Sequence, residues 1–85
     1  MPEVSRFYGI VIRFYYRKHP PMHFHAFYAE HEALIEIETG KIHEGFLPKK
    51  ALELVNEWRV LHLEELKDTW QKSRQELPLN PIAPL

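Results

Sequence analysis

Eighty-five residues, 45% hydrophobic and 27% charged, make one small globular domain, because two cores need about twice that length. The absence of cysteine excludes a disulfide-stapled mini-protein and a thiolate metal site. The longest apolar run, Phe7 to Tyr16, is too short for a bilayer and contains Arg13. Met1-Pro2-Glu3 is not the basic start of a signal peptide, so a cytoplasmic chain without membrane contact is expected.

The net charge of −1 hides a segregation. Residues 1–25 carry Arg6, Arg13, Arg17 and Lys18 against Glu3, a net of +3. Residues 26–47 carry Lys41 against Glu30, Glu32, Glu36, Glu38 and Glu44, a net of −4. The remainder balances. The sequence is histidine-rich, and protonating all six histidines would take the net charge to +5. Histidine titrates near pH ~6.5, so the surface changes in mild acid.

In chain order, Phe7 to Tyr16 is aromatic and β-branched and predicts a first strand with Tyr8, Ile10, Ile12, Phe14 and Tyr16 on its core face. Pro20-Pro21 ends that region, since proline cannot donate to a ladder. A second strand is predicted from about His23 to Ala29 and a third from about Glu32 to Thr39, joined at Glu30-His31. Pairing Phe24, Ala26 and Tyr28 with Ile37, Ile35 and Ala33 keeps one face apolar. The other face then sets His23 against Glu38, His25 against Glu36 and Phe27 against Leu34. A turn at Thr39-Gly40 leads to a short fourth strand, Lys41 to Phe46, pairing Ile37 with Ile42, Glu38 with Lys41 and Glu36 with His43. A bulge at Gly40 would shift that register by one and put Glu44 on the core face.

Pro48 suits the first position of a helix, and no further proline or glycine follows until Pro78. Helical spacing gathers Ala51, Leu52, Val55, Trp58, His62, Leu63, Leu66 and Trp70 on one side. One helix over 48–75 would be roughly 40 Å long and would overhang the sheet or break near Arg59–His62. Prolines at 78, 81 and 84 leave Leu79, Ile82 and Leu85 as an apolar stripe. That stripe can fold back over its own helix end or sheet, or cover another copy.

The expected architecture is therefore α+β. An antiparallel sheet of about four strands (residues 1–47) precedes one long, possibly broken helix packed on one face (48–76) and a proline-rich tail (77–85). All 85 residues form a single domain.

The sharpest constellation is His23-Phe24-His25, because alternate residues of a strand project to one face. With Glu36 and His43 alongside, these side chains form a candidate zinc set. The plainer reading pairs histidine with glutamate across a solvated sheet face, with no cofactor. The same histidines, with Arg13, are candidate acid–base groups for cleaving RNA. Arg6, Arg13, Arg17 and Lys18 are candidate phosphate contacts, and Tyr8, Tyr15, Tyr16 and Phe27 could stack bases. Trp58 and Trp70, with Leu79, Ile82 and Leu85, are candidate core or partner anchors.

Ser5 to Arg13, Pro20-Pro21-Met22-His23-Phe24-His25-Ala26, Glu32 to Ile37, Glu44-Gly45, Leu47-Pro48, Trp58, His62, Glu64-Glu65-Leu66, Trp70 and the closing Pro78 to Leu85 together resemble a small bacterial family. It is the one catalogued as domain of unknown function 4160. The usual form has two prolines directly before the His-Phe-His, whereas here Met22 stands at the second proline's place. The resemblance implies no established activity. It implies a small protein encoded by the neighbouring gene, of the family called domain of unknown function 2442, as partner in a toxin–antitoxin-like or regulatory pair. The expected function is an interaction module of such a unit, monomeric or weakly homodimeric. The alternative is a small RNase or metal-dependent hydrolase built on His23 and His25.

Overall fold

The first strand expected from the sequence is in fact a hairpin. The computed structural model describes residues 2–16 and 18–85, and in it β1 (Glu3–Phe7) and β2 (Ile10–Arg13) pair antiparallel with Phe7 opposite Ile10. Tyr8 and Gly9 connect them, both at positive φ (50° and 80°). That is the pattern of a two-residue type I′ turn, whose twist matches the strands it joins. Tyr8 consequently leaves the core and is 68% exposed, while Ile10, Ile12 and Phe14 remain buried.

Three more strands complete a meander: β3 (His23–Tyr28), β4 (His31–Glu36) and β5 (Ile42–Gly45), in spatial order β1-β2-β3-β4-β5. The sheet therefore has five strands rather than four. The β3–β4 register is two residues away from the expected one. Phe24 faces Ile35, Ala26 faces Ala33, His23 faces Glu36 and His25 faces Leu34. A slip of two keeps every side chain on its face, so the apolar pattern does not choose between the registers. The turn chooses, at Ala29-Glu30 rather than Glu30-His31.

Ala29 holds φ at 51° there, a conformation that costs a residue with a Cβ ~1–2 kcal/mol. Ala29→Gly relieves that strain against a smaller gain in unfolded-chain entropy. It is expected to raise the melting temperature by about 3–6 °C in a circular-dichroism melt.

The β4–β5 pairing also departs from expectation. Ile42 faces Ile35 and Glu44 faces Leu34, leaving His43 as a bulge between them. Because the extra residue sits there rather than at Gly40, Glu44 stays off the core face. Gly45, at φ 88°, lies against the β4 backbone, where an added Cβ would collide with the Glu32 carbonyl oxygen.

The long helix is two helices, α1 (Lys49–Leu61) and α2 (Leu63–Arg74), meeting at His62. Pro48 sits at the N-cap position of α1, one residue before the first helical position expected for it, and makes no side-chain cap hydrogen bond. A straight helix over 48–75 would be about 42 Å long, and the protein's longest dimension is 32 Å. The break lets α1 bury Ala51, Val55 and Trp58 and α2 bury Leu66, Thr69, Trp70 and Ser73. Trp58 packs on Phe7 and Phe24, at ring distances of 5.4 and 5.7 Å.

Arg59 fastens α1 to the β4–β5 turn, donating from Nη1 to the Ile37 carbonyl at 2.8 Å and from Nε to Asn56 Oδ1 at 2.9 Å. The final residues lie against β1. The Ile82 N–H donates to the Val4 carbonyl at 2.7 Å, and Trp58 Nε1–H donates to the Ala83 carbonyl at 2.9 Å.

Candidate functional site

The core fills one face of the sheet with Ile10, Ile12, Phe24, Ala26 and Ile35 against Trp58 and Val55. The opposite face carries nearly every chemical candidate. Strand alternation puts Val11 and Arg13 of β2, His23, His25 and Phe27 of β3, Glu32, Leu34 and Glu36 of β4, and Glu44 of β5 there.

His23 and His25 are not on a solvated surface, as the sequence suggested. They are 6% and 7% exposed. Tyr15 lies edge-on to His25 at 4.3 Å, and Trp70 of α2 lies 4.9 Å from the His23 ring. The two imidazoles are 5.5 Å apart. His23 Nδ1–H donates to the Pro21 carbonyl at 2.8 Å, and His25 Nδ1–H donates to Glu32 Oε2 at 3.0 Å. With Nδ1 as the donor, each neutral ring keeps an accepting Nε2. Both Nε2 atoms are sealed from solvent with no hydrogen-bond partner among the described residues. Burial holds the pKa of both histidines below the ordinary value, opposed at His23 by the Pro21 carbonyl and at His25 by Glu32.

The expected zinc row does not assemble. The register puts Leu34 opposite His25, and Glu36 pairs instead with the bulged His43 at 3.4 Å. Among the described residues no three histidine or acidic side chains gather in a geometry that could hold a metal ion.

The basic candidates also separate. Arg6 is held by Glu3 through two contacts of 2.9 and 3.0 Å. Arg13 lies over the Phe27 ring at 5.3 Å, with its Nε buried and lacking a partner among the described residues. Lys18 lies over Tyr15 at 5.6 Å. Arg17 falls outside the described residues. The proposed stacking residues Tyr8 and Tyr16 are exposed, but Tyr15 and Phe27 are half-buried against the histidine strand.

The candidate partner anchors are core residues. Trp58, Trp70 and Ile82 are 0%, 2% and 4% exposed, and Leu79 and Leu85 pack partly buried against the same cluster. Their apolar surface is covered within the chain.

Two features went unread in the sequence. A cleft of about 210 Å³ lies over β3, β4 and β5, lined by His25, Glu32, Leu34, Glu44 and Gly45. Glu32 shares the parity of Leu34 and Glu36, and that was its one available signal. The Asn56–Arg59 clamp had none beyond helical spacing.

One family model, Domain of unknown function (DUF4160), matches residues 9–71, 63 of the 85 positions. No curated protein and no solved structure matches the chain.

Proposed function

The chain belongs to the DUF4160 family, and from that membership, which assigns no chemistry, we propose a protein-interaction module that binds through the sheet face opposite the one α1 packs on. The observation that carries this reading is the make-up of that face. It combines half-buried Val11, Phe27 and Leu34 with Arg13 on β2 and the carboxylates of Glu32 on β4 and Glu44 on β5. A purely solvated face has no need of the apolar strip, and the carboxylates weigh against phosphate binding across the whole of it. The partner we propose is the small protein encoded by the neighbouring gene, in a toxin–antitoxin-like or regulatory unit of the bacterial cytoplasm. No helix among the described residues is long and apolar enough to cross a membrane.

The test is co-purification of the tagged chain with that neighbouring product. The wild type is expected to retain it, and the double variant Arg13→Glu/Glu44→Arg is expected to lose at least ~10-fold of the capture, about 1.4 kcal/mol. A wild-type chain that captures none of it removes the reading.

A small RNase is the second reading, favoured by one contact. Glu32 orients the His25 ring through Nδ1, as a carboxylate does for a general base, with Arg13 and Lys18 close by. RNA cleavage that survives chelator and disappears in His25→Gln would establish it. Cleavage that stops with chelator would point to a metal-dependent hydrolase, and intact RNA would dismiss both.

A further inference from the structure

The cleft over β3, β4 and β5 has a definite make-up. Half-buried Leu34 lies opposite His25 on β3 and opposite Glu44 on β5. Glu32 shares the face of Leu34 on β4 and is a diagonal neighbour of Glu44. Gly45 leaves the β5 wall without a side chain there. His25 is part of the lining, is 7% exposed, and has an Nε2 without a partner among the described residues. Its Nδ1–H holds Glu32 Oε2 at 3.0 Å, which fixes one carboxylate in place. Tyr15 and Trp70, which cover the histidines, are not among the lining residues.

The charge in this cleft is unspent. Among the described residues, the carboxylate pairs of lysine and arginine go to Glu3, Glu38, Glu64 and Asp68, and none reaches Glu32 or Glu44. Arg13 is on β2, beyond His25, and lies over the Phe27 ring, while Lys18 lies over Tyr15. Glu36, the other acidic residue on this face of β4, is engaged with Thr39 and His43.

Size and chemistry narrow the occupant. The volume of about 210 Å³ is below the ~300–1,000 Å³ of sites that enclose a whole small molecule. It suits the end of one side chain. An anion would meet two carboxylates. A divalent metal ion lacks its ligands, because among the described residues no three histidine or acidic groups gather to hold one. The complement is a cation on an aliphatic stem. Of the two such side chains, arginine fits better. Its planar fork of donors can bridge two carboxylates from different strands, and it sheds water more readily than an ammonium.

We propose that this cleft seats an arginine side chain of a protein partner, its guanidinium bridging Glu32 and Glu44 and its methylene stem lying on Leu34. The proposal rests on the interaction-module reading and supplies the chemical handle by which that partner is held.

The test is a titration of the pure chain with N-acetyl-arginine methylamide, followed by amide NMR in low salt. Shifts are expected at Leu34, Glu44 and Gly45, with a Kd of ~1–10 mM, as weak as one side chain must be. The lysine analogue should bind at least ~3-fold more weakly. The citrulline analogue, of the same shape without the charge, should not bind. Salt at ~0.5 M should weaken the arginine probe. Glu44 is exposed, so Glu44→Gln keeps the fold, and it is expected to weaken binding ~3–5-fold. Glu57→Gln, at an exposed position of α1, should change nothing.

No localised shift up to ~50 mM probe would overturn the proposal. So would a citrulline or lysine analogue that binds as tightly as arginine, or a Glu44→Gln chain that binds as the wild type does. A chain that captures the neighbouring protein yet ignores the probe sinks this inference and spares the module reading. A chain that binds the probe at the cleft and captures nothing does the reverse.

Discussion

A chain truncated after Glu76 is expected to lose ~15–30 °C of melting temperature, and to be largely unfolded at 37 °C if the intact domain melts near the mesophilic average. The residues removed include Ile82, which is 4% exposed, and burying such a side chain contributes ~1.5–3 kcal/mol. They also include the Ala83 carbonyl that accepts the Trp58 Nε1–H. Without it a fully buried indole N–H has no acceptor, at a cost of ~1–3 kcal/mol. Leu79 and Leu85 add partial burial, and the edge of β1 loses the contact at Val4. Together these exceed half of the ~5–8 kcal/mol that a domain of this size can be expected to have. A thermal melt of the truncated chain checks this, and Trp58→Phe, which removes the indole N–H together with part of a fully buried ring, is expected to lose at least ~1–3 kcal/mol. A truncated chain that melts with the intact one would show that these contacts contribute nothing.

Acid is expected to unfold the protein through His23 and His25. Both are buried, both keep a sealed Nε2 without a partner among the described residues, and burial lowers both folded-state pKa values. The unfolded chain, with histidines near pH ~6.5, then binds more protons than the folded one below that pH. The sign follows. Their contribution is fully present above pH ~6.5 and is lost as pH falls through that value toward the folded pKa. Linkage limits the slope to ~1.4 kcal/mol per pH unit for each histidine, ~2.7 for the pair. His25, Lys18 and His43 raise the cost at His23, while at His25 Glu32 and Glu44 ease it against Lys18. Urea unfolding at pH 7.5, 6.5 and 5.5 measures the slope. His23→Gln should flatten it more than His25→Gln, and a wild-type slope equal to that of the double variant would place the acid sensitivity elsewhere.

What the sequence showed and hid follows from periodicity. Side-chain parity put Phe24 and Ala26 in the core and His23 and His25 together on the other face, because alternation belongs to the strand itself. Register was not legible, since a two-residue slip leaves parity untouched and a positive φ at Ala29 decides it. The first hairpin was hidden because its turn residue, Tyr8, is as aromatic as the strand around it. The helix stripe identified Trp58 and Trp70 as buried, but periodicity does not say whether the cover comes from the same chain. The depth of His23 and His25 was out of reach for a related reason. Their cover comes from Tyr15 and Trp70, one eight residues before His23 and the other 47 after it.

The contact between Val4 and Ile82 also bears on how the chain is made. The strands of the meander each pair with a neighbour in sequence, so a ribosome can deliver them one after another with every partner already present. The segment that covers β1 and satisfies the Trp58 indole, Ile82-Ala83, is made 78 residues after Val4. Until it emerges, the nascent chain carries a bare strand edge and, once Trp58 is made, an indole without its acceptor, the features that draw holdase chaperones and stray strands. The domain's most vulnerable period is thus the interval between synthesis of its first strand and of Ile82 and Ala83.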